Sequence, residues 1–201
     1  MKHFIINISR EFGCNAREVS RQLASMLNVE IYDKDLIDLT ARRAGINQDS
    51  FLDSDAIVDK SRKNLLQRFG YGSSTSFYSD EAIKAQADII RELANKGSSC
   101  IFFGRCSDYI LREYPNRLNI FLYAPFEQRV LHVMRNYNLD EVSAKKLITR
   151  VDRQRHNYYK YVTGKNRGDR DYKQLMIDVH EFGIKGSATL LYDVIVKHFH
   201  D

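Results

Sequence analysis

Between Phe4 and Asp33 the chain runs FIINISREFGCNAREVSRQLASMLNVEIYD, an apolar run, a polar loop, an amphipathic stretch and a second β-prone run in close succession. This order constrains the fold more than any other feature. Phe4–Ile8 is apolar on both parities apart from Asn7, the mark of a strand buried on both faces rather than of a half-exposed one. After the loop at Ser9–Ala16, Val19, Leu23, Met26 and Leu27 recur at offsets of four, seven and eight, so they share one face of a helix. Val29–Tyr32 is then short and β-prone, and Asp33, Lys34 and Asp35 stand at its carboxyl end. A parallel strand–helix–strand unit is expected, with ligands at the carboxyl ends of its strands.

The same alternation continues. Residues 36–96 are largely helical in pattern, with a glycine- and serine-rich break at Gly70–Ser76 that reads as a mobile loop. Ser99–Phe103 and Leu118–Ala124 are two further apolar runs, separated by a helix expected to start near Ser107 and to stop before Pro115, since proline disfavours helix in the residue preceding it. Phe126, Val130, Val133, Met134 and Tyr137 form a helical stripe, and Asp140 is placed to cap a following helix whose apolar face is Ala144, Leu147, Ile148 and Val151. Lys146, Arg150, Arg153 and Asn157 fall on another, cationic face. HNYYKYVTGKNRGDRDYKQ reads as a tyrosine-rich basic loop, Leu175–Val179 as a last strand, and Ile184, Ala188, Leu191 and Ile195 as the closing helix. Five strands and interleaved helices predict a three-layer α/β/α fold with a five-stranded, mainly parallel sheet.

With 201 residues the chain is of a size for one domain, expected over residues 1–201, with residues 36–96 as an inserted helical lobe and 150–172 as a lid region. Net charge is only +5, with both signs scattered, so a nucleic-acid protein is not indicated by charge alone. The three cysteines form no CxxC pair, the six histidines show no ligand spacing, and MKHFIIN leads directly into a strand. A reducing, cytoplasmic setting is expected, with no membrane span and no signal peptide. Oligomeric state is not legible.

Three constellations carry chemistry. In SREFGCNARE, backbone N–H groups at a helix N-terminus can converge on an anion, aided by the helix dipole. The lysine and hydroxyl of GxxxxGK[ST] are absent; Arg17 is the nearest cation to the lysine position, Glu18 stands where the hydroxyl would be, and Arg10 adds a second guanidinium. An ordinary strand-to-helix turn fits the same residues. Arg105 follows Gly104 at the end of a buried strand, where it can meet an anion or form a salt bridge; Asp33 and Asp35 can contact a ligand or simply cap a helix. RVDRQRHNYYKY places Arg150, Arg153 and Arg155 within six residues. Phosphoryl transfer needs cations set against charge shared by the transferring oxygens, and arginines on a lid supply them. A solvated charged face, with Asp152 as an intrahelical partner, is the plainer alternative. Tyr158, Tyr159 and Tyr161 beside these cations also allow RNA binding, disfavoured for want of a nucleic-acid motif. Cys14 is either a small residue fitting a tight loop or, at a helix N-terminus beside Arg17, a thiol of lowered pKa.

Taken together, ISREFGCNAREVSRQLA, IYDKDLI, FFGRCSDYIL, LNIFLYAPFEQRVLHVM, RVDRQRHNYYKYVTGK and GIKGSATLLYDVI resemble the cytidylate kinase-like family, a branch of the P-loop nucleoside monophosphate kinases. The resemblance implies a P-loop kinase fold and transfer of the γ-phosphate of ATP, with Mg2+, to a nucleoside monophosphate or similar small molecule. It implies that Gly13, Cys14, Asn15, Ala16, Arg17 and Glu18 hold the donor phosphates, Glu18 being the candidate metal ligand. Asp33 and Arg105 would hold the acceptor. Arg17, Arg150, Arg153 and Arg155 would be the catalytic cations. The chain departs from the family's pattern in the glycines of GCNARE, and from authentic cytidylate kinases in Val151 and Gln154 of the lid. A nucleotide sensor that keeps the fold with weakened chemistry is the alternative.

Overall fold

A computed structural model describes residues 3–33 and 80–200. Residues 34–79, with Asp35, most of the expected helical lobe and its glycine- and serine-rich break, lie outside the described residues. In chain order the described elements are β1 (Ile5–Arg10), α1 (Ala16–Leu27), β2 (Glu30–Tyr32), α2 (Asp80–Ala94), β3 (Cys100–Phe103) and α3 (Ser107–Ile110). They are followed by β4 (Arg117–Tyr123), α4 (Phe126–Tyr137), α5 (Glu141–Thr163), a 3-10 turn at Arg170–Tyr172, β5 (Leu175–Asp178) and α6 (Val179–Phe199). The strands form one sheet in the order β2-β3-β1-β4-β5, and every adjacent pair is parallel.

Strand parity explains the continuous apolar runs. Ile6 and Ile8 of β1 pack with Val19 and Leu23 of α1 and with Leu191 and Ile195 of α6, whereas Ile5 and Phe102 pack on the other face with Ile90 and Leu93 of α2 and Tyr159 of α5. Helices cover both faces, so each strand must be apolar on both parities. The exception, Asn7, is fully buried and lies opposite Asn119 of β4, to whose Oδ1 its Nδ2 donates at 2.9 Å. Asn119 in turn donates from its backbone N–H to Gln174 Oε1 and from Nδ2 to the carbonyl of Tyr172. A buried polar seam thus ties the central strands to the segment that delivers β5 to the sheet edge.

Asp140 caps α5 as expected, accepting from the Ser143 N–H at 2.9 Å. The helix after β3 spans Ser107–Ile110 and stops before Pro115 as expected. One expectation is corrected. The tyrosine-rich basic stretch is helix rather than loop as far as Thr163, where Gly164 closes it in the left-handed region; Tyr159 and Thr163 extend the buried face of Leu147, Ile148 and Val151, and that burial outweighs the segment's polarity. No helix among the described residues is long and apolar enough to cross a membrane.

Candidate active site

The loop between β1 and α1 owes its path to Gly13 and Asn15, both at positive φ (82° and 59°). A Cβ on Gly13 would lie 2.8 Å from Val133 Cγ2 and 3.2 Å from the Arg129 carbonyl oxygen, so glycine is what lets α4 cross over the loop. Asn15 is the N-cap of α1, yet its side chain makes no capping bond; Nδ2 instead lies 3.2 Å from His132 Nδ1, which is also 3.2 Å from the Gly13 carbonyl. Asn15 thus gives no capping bond to the first-turn N–H groups of α1, which stand at the positive end of the helix dipole. They border a cavity of about 300 Å3, lined by the whole loop from Arg10 to Glu18 together with Arg21, Tyr137 and Arg155. Four guanidinium groups and two carboxylates, Glu11 and Glu18, surround it.

Cys14 fits the small-residue alternative rather than that of a reactive thiol. It is 1% exposed, its Sγ lies 3.3 Å from the Glu11 carbonyl and 3.5 Å from that of Leu122, and burial pushes its pKa up to about 11. Helix-dipole stabilisation of a thiolate is outweighed by desolvation. Cys100 and Cys106 are also buried and their pKa values also raised, that of Cys100 to about 12. At pH 8 on the order of one Cys14 thiol in a thousand should be ionised. Site-resolved alkylation with iodoacetamide should thus be slow for all three cysteines in the folded protein and fast in denaturant. Rapid labelling of native Cys14 would contradict this.

Behind the loop lies a set of four charged side chains from distant parts of the chain. Asp152 of α5 accepts from the Phe12 N–H at 3.0 Å and from Arg167 Nη2 at 3.0 Å through Oδ1, and from Arg129 Nη1 at 2.6 Å through Oδ2. Arg129, 8% exposed, also pairs through Nε with Glu11 Oε2 at 3.2 Å and donates to the carbonyls of Ala124 and Phe12. Arg167 Nη1 donates to the Arg10 carbonyl at 2.7 Å. Burial raises the Glu11 pKa despite the nearby Arg129, and burial lowers that of Arg167. Asp152 is thus no intrahelical partner: its acceptor bonds go to the loop, to α4 and to the segment after α5.

These residues brace the loop, and the sequence says little of it. Arg129 sits one turn before Val133 on the same helical side, a cation inside an apolar stripe, which was the available signal. On the far side of Glu11 a second cavity of about 390 Å3 opens between Phe121, Tyr123 and Met176 of the sheet and His156 of α5.

Asp33 and Arg105 flank the loop on the β3 side. Arg17 Nη1 lies 3.8 Å from Asp33 Oδ2, with the two side chains 32% and 25% exposed, a pair too solvated to hold Arg17 firmly. Gly104, at φ 87°, has the Arg10 guanidinium where a Cβ would stand, and Arg10 Cζ lies 4.1 Å above the Phe103 ring. Arg105 follows in the left-handed region, half-buried, its carbonyl accepting from Gln86 Nε2 at 3.3 Å. Beneath this turn Asp108 Oδ2 pairs with Lys173 Nζ and accepts from the Tyr159 hydroxyl at 3.0 Å.

Of the three arginines expected in a lid, Arg155 reaches the cavity, with Cζ 5.5 Å from the Phe12 ring; Arg150 is half-buried and Arg153 exposed, and neither lines it. Asp33 and Arg105 also lie outside its lining. Glu18 is exposed at its lip, and among the described residues no group of three or more histidine, cysteine, aspartate or glutamate side chains is placed to hold a metal ion.

The model of the cytidylate kinase-like family matches residues 5–181. No curated protein matches the chain. Among solved structures, an uncharacterized protein from Eubacterium ventriosum ATCC 27560 is similar over 98% of this chain and 99% of its own, with TM-score 0.75 and 22% identity. Shikimate kinase from Acinetobacter baumannii, solved in complex with shikimate, is similar over 99% of this chain and 96% of its own, with TM-score 0.54 and 15% identity. A gluconokinase from Sinorhizobium meliloti 1021 is similar over 98% of each chain, with TM-score 0.52 and 10% identity. At these identities the likeness concerns the fold, which is that of the P-loop kinases.

Proposed function

The chain belongs to the cytidylate kinase-like family, and on that premise we propose that it is a phosphotransferase that moves the γ-phosphate of ATP to a nucleoside monophosphate or a similar small molecule. The observation that carries this reading is the uncapped N-terminus of α1 opening on a cavity that Arg10, Arg17 and Arg155 also line. Such a site suits a polyanion, since a phosphate chain can accept from backbone amides at a helix N-terminus and from guanidinium groups.

In this reading the backbone from Gly13 to Glu18 cradles the donor phosphates. Arg17 takes the place of the usual lysine, its loose pair with Asp33 giving way to a bidentate contact. Arg155 offers positive charge from the opposite wall, where charge is shared between transferred and leaving oxygens. Arg150 and Arg153, on the same helix, would join it by swinging their side chains toward bound nucleotide, and Asp33 and Arg105 would orient the acceptor, with residues 36–96 as its lobe and 150–172 as the lid region. Magnesium, when bound, would offset charge on the donor phosphates. Glu18, at the cavity lip, is the carboxylate that would hold it.

Calorimetric titration with Mg·ATP, paired with a transfer assay over a panel of nucleoside monophosphates, tests the proposal. Arg17→Ala should lower turnover by about a hundredfold, equivalent to roughly 2.7 kcal/mol of transition-state stabilisation. It should leave folding stability within about 1 kcal/mol of wild type, since Arg17 is a third exposed. Binding of ATP without transfer to any acceptor would instead favour a nucleotide sensor, a reading that the missing lysine supports. A protein that binds no ATP would sink both.

A further inference from the structure

One turn of α5 rests on a single residue of the phosphate loop. The Phe12 N–H donates to Asp152 Oδ1 at 3.0 Å, and the Phe12 ring lies beneath the guanidinium of Arg155, three residues further along the same helix. The ring itself is 7% exposed and stacks on Tyr137 with centroids 6.0 Å apart. On the other side of Phe12, its carbonyl accepts from Arg129 Nη1, the same nitrogen that bonds Asp152 Oδ2. The loop residue is therefore gripped at N–H, C=O and ring, and two of those three contacts come from the helix that carries Arg155. Sliding α5 along the loop would break the Asp152 bonds and lift Arg155 off its seat together.

We infer that Asp152 is a positioning residue that sets α5 against the phosphate loop and so holds Arg155 at the cavity wall, making polyphosphate binding depend on a carboxylate that itself does not line the cavity. The inference rests on the reading of the cavity as the ATP site. Its physical content is one of length as well as charge. A group that merely neutralised Arg129 and Arg167 would be replaceable by glutamate. A group that fixes the distance from helix to loop is not, because the extra methylene must displace either the Phe12 N–H or the helix.

The test is titration of Mg·ATP into wild type, Asp152→Glu, Asp152→Asn, Arg155→Ala and the double variant Asp152→Glu/Arg155→Ala, with thermal unfolding of each in parallel. Asp152→Glu keeps both ion pairs and is the variant expected to fold if Asp152→Asn does not. It should bind Mg·ATP about tenfold more weakly than wild type. Arg155→Ala should lose a similar amount, and the double variant should lose no more than about twofold beyond the weaker single variant, because both changes remove the same contact. Wild-type affinity in Asp152→Glu, or losses that multiply in the double variant, would overturn the inference. Failure of wild type to bind Mg·ATP would instead strike the functional reading beneath it and the inference with it.

Discussion

Lys173→Met is expected to cost about 3–5 kcal/mol of folding stability, measured as the shift in urea unfolding at constant m-value. The Lys173 and Asp108 side chains are 1% and 3% exposed, and their pair sits beside the Tyr159 hydroxyl under the turn that presents Arg105. Methionine fills nearly the same volume, so the loss is not one of packing. What remains is a buried carboxylate with one neutral donor, and that uncompensated charge is the source of the cost. Adding Asp108→Asn to Lys173→Met should therefore recover part of the stability, which a packing defect would not allow. A single-variant loss under about 1 kcal/mol would mean that the pair is effectively solvated.

Arg129→Met should be of similar size, about 3–5 kcal/mol, and should also depend on pH. Arg129 is the shared partner of Glu11 and Asp152 and the donor to two loop carbonyls, those of Ala124 and Phe12. Arg167 still serves Asp152 when it is removed, but Glu11 loses its nearest countercharge. Burial already raises the Glu11 carboxyl above its ordinary value of 4.5, so the folded state holds a proton more readily than the unfolded chain does. A raised carboxyl pKa makes stability fall as pH rises from the unfolded pKa through the folded one, and the variant raises it further. The deficit of Arg129→Met should then be smaller near pH 5 than near pH 8. An equal deficit at both would show that Glu11 is not the group left stranded.

These two cations illustrate what local pattern conveys and what it does not. Ile5, Ile6 and Ile8 announce a strand covered on both faces because parity along β1 is a property of neighbouring residues, and the Val19–Leu23–Leu27 stripe announces α1 for the same reason. The cap at Asp140 is equally local, whereas the need for glycine at position 13 comes largely from the crossing of α4 at Val133. The Tyr158–Thr163 stretch misleads because its polar and aromatic composition suits a loop, while burial of Thr163, and of Tyr159 against Ile5 and Phe102 of the sheet, favours helix.

Sequence alone determined the alternation of strands and helices, the strand–loop–helix at β1 and α1, and the arginines near that loop, since each follows from period, turn chemistry or residue type over a few positions. Tertiary structure alone decided which of those arginines reach the cavity, that burial silences Cys14, and that Asp152 serves the loop rather than its own helix. The physical reason is separation. Asp152 meets Arg129 across 23 residues and the Phe12 N–H across 140, and Lys173 meets Asp108 across 65. Charges so far apart in sequence carry no shared period, and only the packing of distant segments around one sheet brings them within bonding distance.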